Sequence, residues 1–419
     1  MPSSDTYCDP SAYALFDVHG VELEYMLVDR QSLDVRPWAD RVLEQLAGDG
    51  ACDAVCGPVT WSNELAAHVL ECKTTDPAKD LRSVGPWFRE ALGNLQPILD
   101  QYQLQLLPTA MHPWMDAARE TCLWPHAGHD IYRAYDRIFN CHTPGWSNVQ
   151  SVHLNLPFRG DDQFARLHAA VRILLPLLPA LAASSPVLEG RVRSTADTRM
   201  RLYADHCREV PSLTGQVIPE AIFDQARYEA EILGPIAAAL RLRDPQEVLQ
   251  VEFANARGAI ARFDRGSIEI RVMDVQEYPS ADLALCAAAA ATARALCDQR
   301  WSDTAAQQAA STASLRRLLD QTTTEAEAAV IDDAAFLNLF GITQPEITAA
   351  DLWAELLGRL RKQDATLEAL ISPLQIILHH GSLATRIRYA LGAEPTREKL
   401  REVYRRLGDC LVHDQPLLP

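Results

Sequence analysis

The stretch Ser267-Ile268-Glu269-Ile270-Arg271-Val272-Met273-Asp274 alternates apolar and charged residues with a period of two. Ile268, Ile270 and Val272 share one face, and Glu269 and Arg271 the other, which is the pattern of a half-buried β-strand. Two steps of ~3.3 Å set the carboxylate and the guanidinium about 7 Å apart along that strand. The pair reads either as a cross-strand salt bridge or as part of a binding face. Asp264-Arg265-Gly266 reads as a hairpin turn leading into it.

Two other stretches have the same character. Over residues 18–29, Val21, Leu23 and Tyr25 alternate with Glu22 and Glu24. Carboxylates at i and i+2 on a strand repel by about 3–4 kcal/mol if they converge at protein-like dielectric. Solvent relieves that repulsion at an exposed edge, and a divalent cation relieves it in a cavity. In Ser151-Val152-His153-Leu154-Asn155-Leu156-Pro157, the apolar residues again face one way, and Ser151, His153 and Asn155 the other. Glu64 and Glu71 are seven apart, so on one straight strand they face opposite sides. They share a site only if a turn or bulge lies between them.

Helical periods surround these strands, at 36–50, 78–107, 131–139, 162–183 and 219–242, and from 280 almost to the end. Pro86 and Pro97 predict two pieces within 78–107. The economical arrangement is α+β: an antiparallel sheet with its apolar face on helices and its polar face forming a cavity. Carboxylates and a histidine on that face suit Mg2+ or Mn2+. The Arg-rich segment 191–215 suits an anion such as a nucleotide phosphate.

At 419 residues with 48% hydrophobic and 23% charged residues, the chain has the composition of a globular protein with an ample core. The net charge of −17 argues against nucleic-acid or anionic-membrane partners. Lysine occurs only at 73, 79, 362 and 399, so an anion clamp must come largely from arginine. The ten cysteines form no disulfide-like framework, Met1–Asp17 has no secretory pattern, and a cytoplasmic location is expected. The apolar runs 173–188 and 283–293 are proline-broken or short, and read as buried helices. Cys52, Cys56, His68 and Cys72 match no strong zinc spacing, and neither does His126-x2-His129-Asp130. No P-loop, dinucleotide fingerprint or nucleophile elbow is present.

Four short motifs occur in one order: Gly20-Val-Glu22-Leu-Glu24; Glu64-x6-Glu71 with Thr74; Ser184-Ser185-Pro186-x2-Glu189-Gly190; and Ile268-Glu269-Ile270-Arg271-x2-Asp274-x-Gln276. This set resembles the glutamate–cysteine ligase family, including its carboxylate–amine ligase branch, from about residue 17 to 290. The C-terminal third is similar mainly at Gly381-Ser-Leu-Ala384 with Arg386.

The resemblance implies a glutamine-synthetase-like fold, a curved antiparallel funnel flanked by helices. Residues 1–300 would form the catalytic core and 301–419 a helical subregion packed on it. It further implies an ATP-dependent carboxylate–amine ligase that forms an amide, γ-glutamyl amides among the candidates, through an acyl phosphate. Glu22, Glu24, Glu64, Glu71, His153 and Glu269 would hold Mg2+ or Mn2+. Arg271 and Arg199, with Glu269, would act on the transferred phosphoryl group, and Arg257 and Asn155 would contact ATP. Family members carry His-x-His or Gln-x-Asn where this chain has His153-x-Asn155. Asp274 and Gln276 would shape the rim. Amino-acid and amine substrates are the expected partners, and a homodimer is the candidate assembly. The alternatives are a zinc hydrolase built on His112, His126, His129 or His142, and a non-catalytic relative that binds a nucleotide or small ligand.

Overall fold

A computed structural model describes residues 12–418. The central sheet contains β1 (Gly20–Asp29), β2 (Asp53–Cys56), β3 (Val59–Asn63), β4 (Val69–Thr74), β5 (Leu104–Leu107) and β6 (Ser151–Pro157). A small separate hairpin follows, β7 (Val187–Leu188) and β8 (Arg191–Val192), and then β9 (Ala259–Arg262) and β10 (Ser267–Asp274) complete the large sheet. Its order is β2-β3-β4-β1-β6-β10-β9, with β5 also paired to β1, and every pairing is antiparallel. The sheet is open.

The period-of-two reading places the apolar faces correctly. Val21, Leu23, Tyr25, Val152, Leu154, Leu156, Ile268 and Ile270 are all fully buried and belong to one hydrophobic cluster. Helices Leu81–Gln101, Gly160–Leu174 and Pro279–Cys297 pack together in that cluster. Alanine dominates the 279–297 helix, and such short side chains permit close approach of neighbouring elements. Two helical runs, 160–182 and 279–297, are long and apolar enough to cross a membrane, but each is 89% buried within the fold and serves as a core helix. The helices over 349–360 and 371–380 pack on the 279–297 helix. Helices 383–391 and 397–413 cover the far end of β1 through Met26, Val28, Leu107, Ile387 and Tyr404.

Three expectations need correction. Leu81–Gln101 is one helix that runs through both Pro86 and Pro97. Burial of Val84, Phe88, Leu95 and Leu99 on one side compensates for the lost backbone hydrogen bonds. The β2–β3 hairpin was not foreseen, although Gly57 at φ 67° supplies the left-handed turn residue it needs. The strict alternation of β10 also ends early. Ile270 pairs with Leu154 and Met273 with Val152, so three residues of β10 span two of β6. That extra residue is a β-bulge at Arg271–Val272.

Candidate functional site

The strand register assembles the polar face. Glu22 is the Cα partner of both Lys73 on β4 and His153 on β6, and Glu24 is the partner of Glu71. Asn155 faces Glu269. Glu22 and Glu269, 247 positions apart, therefore lie on the two strands that flank β6.

Glu22 is the hub. One carboxylate oxygen accepts a hydrogen bond from Asn155 Nδ2 at 2.9 Å, and the other lies 3.1 Å from His153 Nδ1. His153 Nδ1 is 3.8 Å from Glu269 Oε1, while its Nε2 is 2.9 Å from Ser151 Oγ. The Ser151 amide and hydroxyl both donate to Glu24 Oε2, at 2.6 and 2.9 Å. Burial disfavours the charged imidazole, but the hydrogen bond to Glu22 and the charges of Glu24, Glu22 and Glu269 outweigh it, raising the His153 pKa to about 9. Burial likewise opposes ionisation of Glu22, yet His153 and Lys73 pull its carboxyl well below the usual range. Burial, followed by the charges of Glu71 and Glu24, pushes the Glu64 carboxyl well above its usual value.

One ligand atom each from Glu22, His153 and Glu269 lies within 4.8 Å of the others. Two carboxylate oxygens and an imidazole nitrogen at that spacing fit a single divalent cation, with ligand distances of ~2.0–2.2 Å. Glu71 is placed differently. Its Oε2 accepts from Ser62 Oγ and from Lys73 Nζ, both at 2.6 Å. Glu64 lies just past the end of β3, so a turn separates it from Glu71 on β4, the condition the spacing of seven required.

The arginines part company. Arg271 stays on the polar face, where its Nε and Nη2 lie 2.8 and 2.7 Å from Glu269 Oε1. The pair is therefore a contact within one strand, not a cross-strand bridge. Arg199 is buried. Its Nε donates to Asp274, and its Nη groups reach the Arg271 carbonyl at 3.3 and 3.4 Å. Arg257 is buried in a two-point pair with Glu220, at 2.6 and 2.7 Å, and also donates to Asn255 Oδ1.

Asp274 and Gln276 do not form a rim. Both are fully buried, and Asp274 accepts from the Ser184 amide and the Ser185 hydroxyl, each at 2.8 Å. Gln276 Nε2 donates to the carbonyls of Ala182 and Asp274. The physical reason is the 184–199 segment, whose Ser184 amide, Ser185 hydroxyl and Arg199 Nε all donate to the Asp274 carboxylate and close over it. The Ser184-Ser185 motif thus anchors a strand end.

The histidines of the hydrolase alternative are dispersed on separate partners. His112 Nε2 meets the Leu33 carbonyl, His126 meets Asp40, His129 meets Asp130 and His142 meets Asp136. Glu22, His153 and Glu269 form the one group of three metal-capable side chains found among the described residues. His68 is buried against the Ser147 carbonyl, and Cys52, Cys56 and Cys72 are free thiols. Two site residues escaped the sequence reading, Ser62 and Lys73. The available signal for Lys73 was its place two residues beyond Glu71, on the same strand face, in a chain with four lysines.

The class is α+β: an open antiparallel sheet backed by helices, which gathers carboxylates, an imidazole and an arginine on its other face. The Glutamate-cysteine ligase family 2 (GCS2) profile matches residues 18–406, and the chain belongs to that family. An uncharacterized protein of Archaeoglobus fulgidus is 37% identical over 276 residues, covering 66% of this chain and 74% of its own length. A candidate glutamate–cysteine ligase 2-3 of Rubrobacter xylanophilus is 28% identical over 190 residues, or 44% and 47% of the two chains. The match thus spans about half of that second relative. The glutamate–cysteine ligase of Francisella tularensis, solved in complex with AMP, superposes with a TM-score of 0.63 at 13% identity, covering 94% of this chain and 89% of that one. A bifunctional glutathione synthetase from Pasteurella multocida gives 0.59 at 13% identity, covering 94% and 53%. At such identities the likeness establishes the fold, which is glutamine-synthetase-like.

Proposed function

We propose that this chain is an ATP-dependent carbon–nitrogen ligase that activates a carboxylate as an acyl phosphate and passes it to an amine, with γ-glutamyl amides as the first products to seek. The observation that carries the reading is the convergence of Glu22, His153 and Glu269 with Arg271 on one sheet face. A Mg2+ or Mn2+ ion held there would neutralise phosphate charge as the γ-phosphoryl group moves. Glu269 orients the Arg271 guanidinium, which offers further donors to an equatorial phosphoryl oxygen. Asn155 and Ser151 fix the carboxylates of Glu22 and Glu24, so the ligand oxygens are preorganised. Membership in the ligase family supports the reaction class.

The test is nucleotide release from the full chain with Mg2+ and a panel of amino acids and amines, coupled to product mass. The expected result is ADP formed only when both an acid and an amine are present, with a product mass equal to their sum less one water. Release of AMP and pyrophosphate would overturn the acyl-phosphate route. If no pair releases nucleotide from folded protein, the ligase reading fails, and thermal stabilisation by Mg2+–ATP without turnover would identify a binding protein instead.

A further inference from the structure

Lys73 is an unusual occupant of this face. Its Nζ stands 2.6 Å from Glu71 Oε2, and the same oxygen accepts from Ser62 Oγ, so Glu71 is already held at two points. The Lys73 backbone is the direct cross-strand partner of Glu22, the hub of the metal-capable group. Lys73 and Glu71 are two apart on β4, so both project to the polar face. A divalent ion bound to Glu71 at this oxygen would lie in contact with a like-charged ammonium, an arrangement that repels at any protein dielectric. Glu71 Oε2 therefore has its cation already, covalently supplied by the chain.

Building on the metal-dependent ligase reading, we propose that Lys73 is a resident cation that takes the place of a divalent ion at Glu71, so that the protein alone binds one divalent ion, at Glu22, His153 and Glu269. The side chain thereby sets how many metals the site accepts. An aliphatic residue at position 73 would leave Glu71, with neighbouring Glu24 and Glu64, open to a second ion.

Equilibrium dialysis of the metal-stripped full chain against Mn2+, with bound metal counted by elemental analysis and free Mn2+ by electron paramagnetic resonance, tests the proposal without recourse to activity. The expected counts are one ion for the wild type and one for Lys73→Arg, two for Lys73→Met, one for Glu71→Gln and none for Glu269→Gln. A folded Lys73→Met that still binds one ion overturns the proposal. So does Glu71→Gln losing the ion, a readout that stands even if Lys73→Met does not fold. A wild type that binds no Mn2+ sinks the metal reading and this proposal with it. Loss in Glu269→Gln alone, with no gain in Lys73→Met, sinks only the role of Lys73.

Discussion

His153 Nδ1 lies 3.1 Å from Glu22 Oε2 across a pair of strands in which the two Cα atoms are direct partners. With protons on both ring nitrogens, the imidazole donates to Glu22 on one side and to Ser151 Oγ on the other. In the metal-free protein it thus acts as a counter-ion among carboxylates. To ligate a metal in the proposed site it would have to give up a proton, so the two roles would compete.

That competition sets opposite pH trends. The folded pKa of His153 is about 9, against an ordinary value of 6.5. Its stabilising contribution is therefore fully present below about pH 6.5 and is lost as pH rises through 9, by up to about 3 kcal/mol. Mn2+ affinity should rise over the same interval, because binding releases the proton. Melting of the metal-free protein and Mn2+ titrations between pH 6 and 9.5 check both signs. A parallel rise or fall of the two would contradict the assignment.

Under the proposed mechanism, Glu269→Gln should lower turnover by more than about 10²-fold, because it would remove one oxygen of the proposed metal site and the anchor of Arg271 together. The melting temperature of the metal-free protein should change little, since relief of carboxylate repulsion offsets the lost contact. Steady-state kinetics and calorimetry measure the two effects separately.

Arg199 and Asp274 form a buried pair with side-chain exposures of 2% and 0%. Replacing Arg199 by Met strands a buried carboxylate, which costs about 3–5 kcal/mol. Adding Asp274→Asn should recover part of that loss. A double-mutant cycle in urea would read the coupling, and strictly additive losses would show that the pair is not a unit.

Gly258 sits against the bulge of β10. A Cβ at this position would stand 2.6 Å from Val272 Cγ1 and 3.0 Å from Val217 Cγ1, so Gly258→Ala overpacks the site by about 1–3 kcal/mol. The Gly258 carbonyl accepts from the Arg271 amide at 2.9 Å, so the strain passes to Arg271 on the polar face. Urea denaturation reads the stability change, and a lower kcat at unchanged fold would report displacement of Arg271.

The alternating strands 20–29, 151–157 and 267–274, their buried and polar faces, the helical remainder and the family were all legible in the amino-acid order. Local periodicity and short motifs carry that information directly. The roles of individual charges were not, because a charge's role depends on which partner reaches it first. Arg199 and Arg257 read as anion contacts in the sequence, yet Asp274 and Glu220, 75 and 37 residues away, hold them in the interior. The bulge at Arg271–Val272 is likewise set by pairing with β6 and by Gly258, and leaves no mark in a period of two. Only the register could show that Lys73, His153 and Glu22 stand in one row, since strands far apart in sequence become neighbours solely through backbone hydrogen bonding.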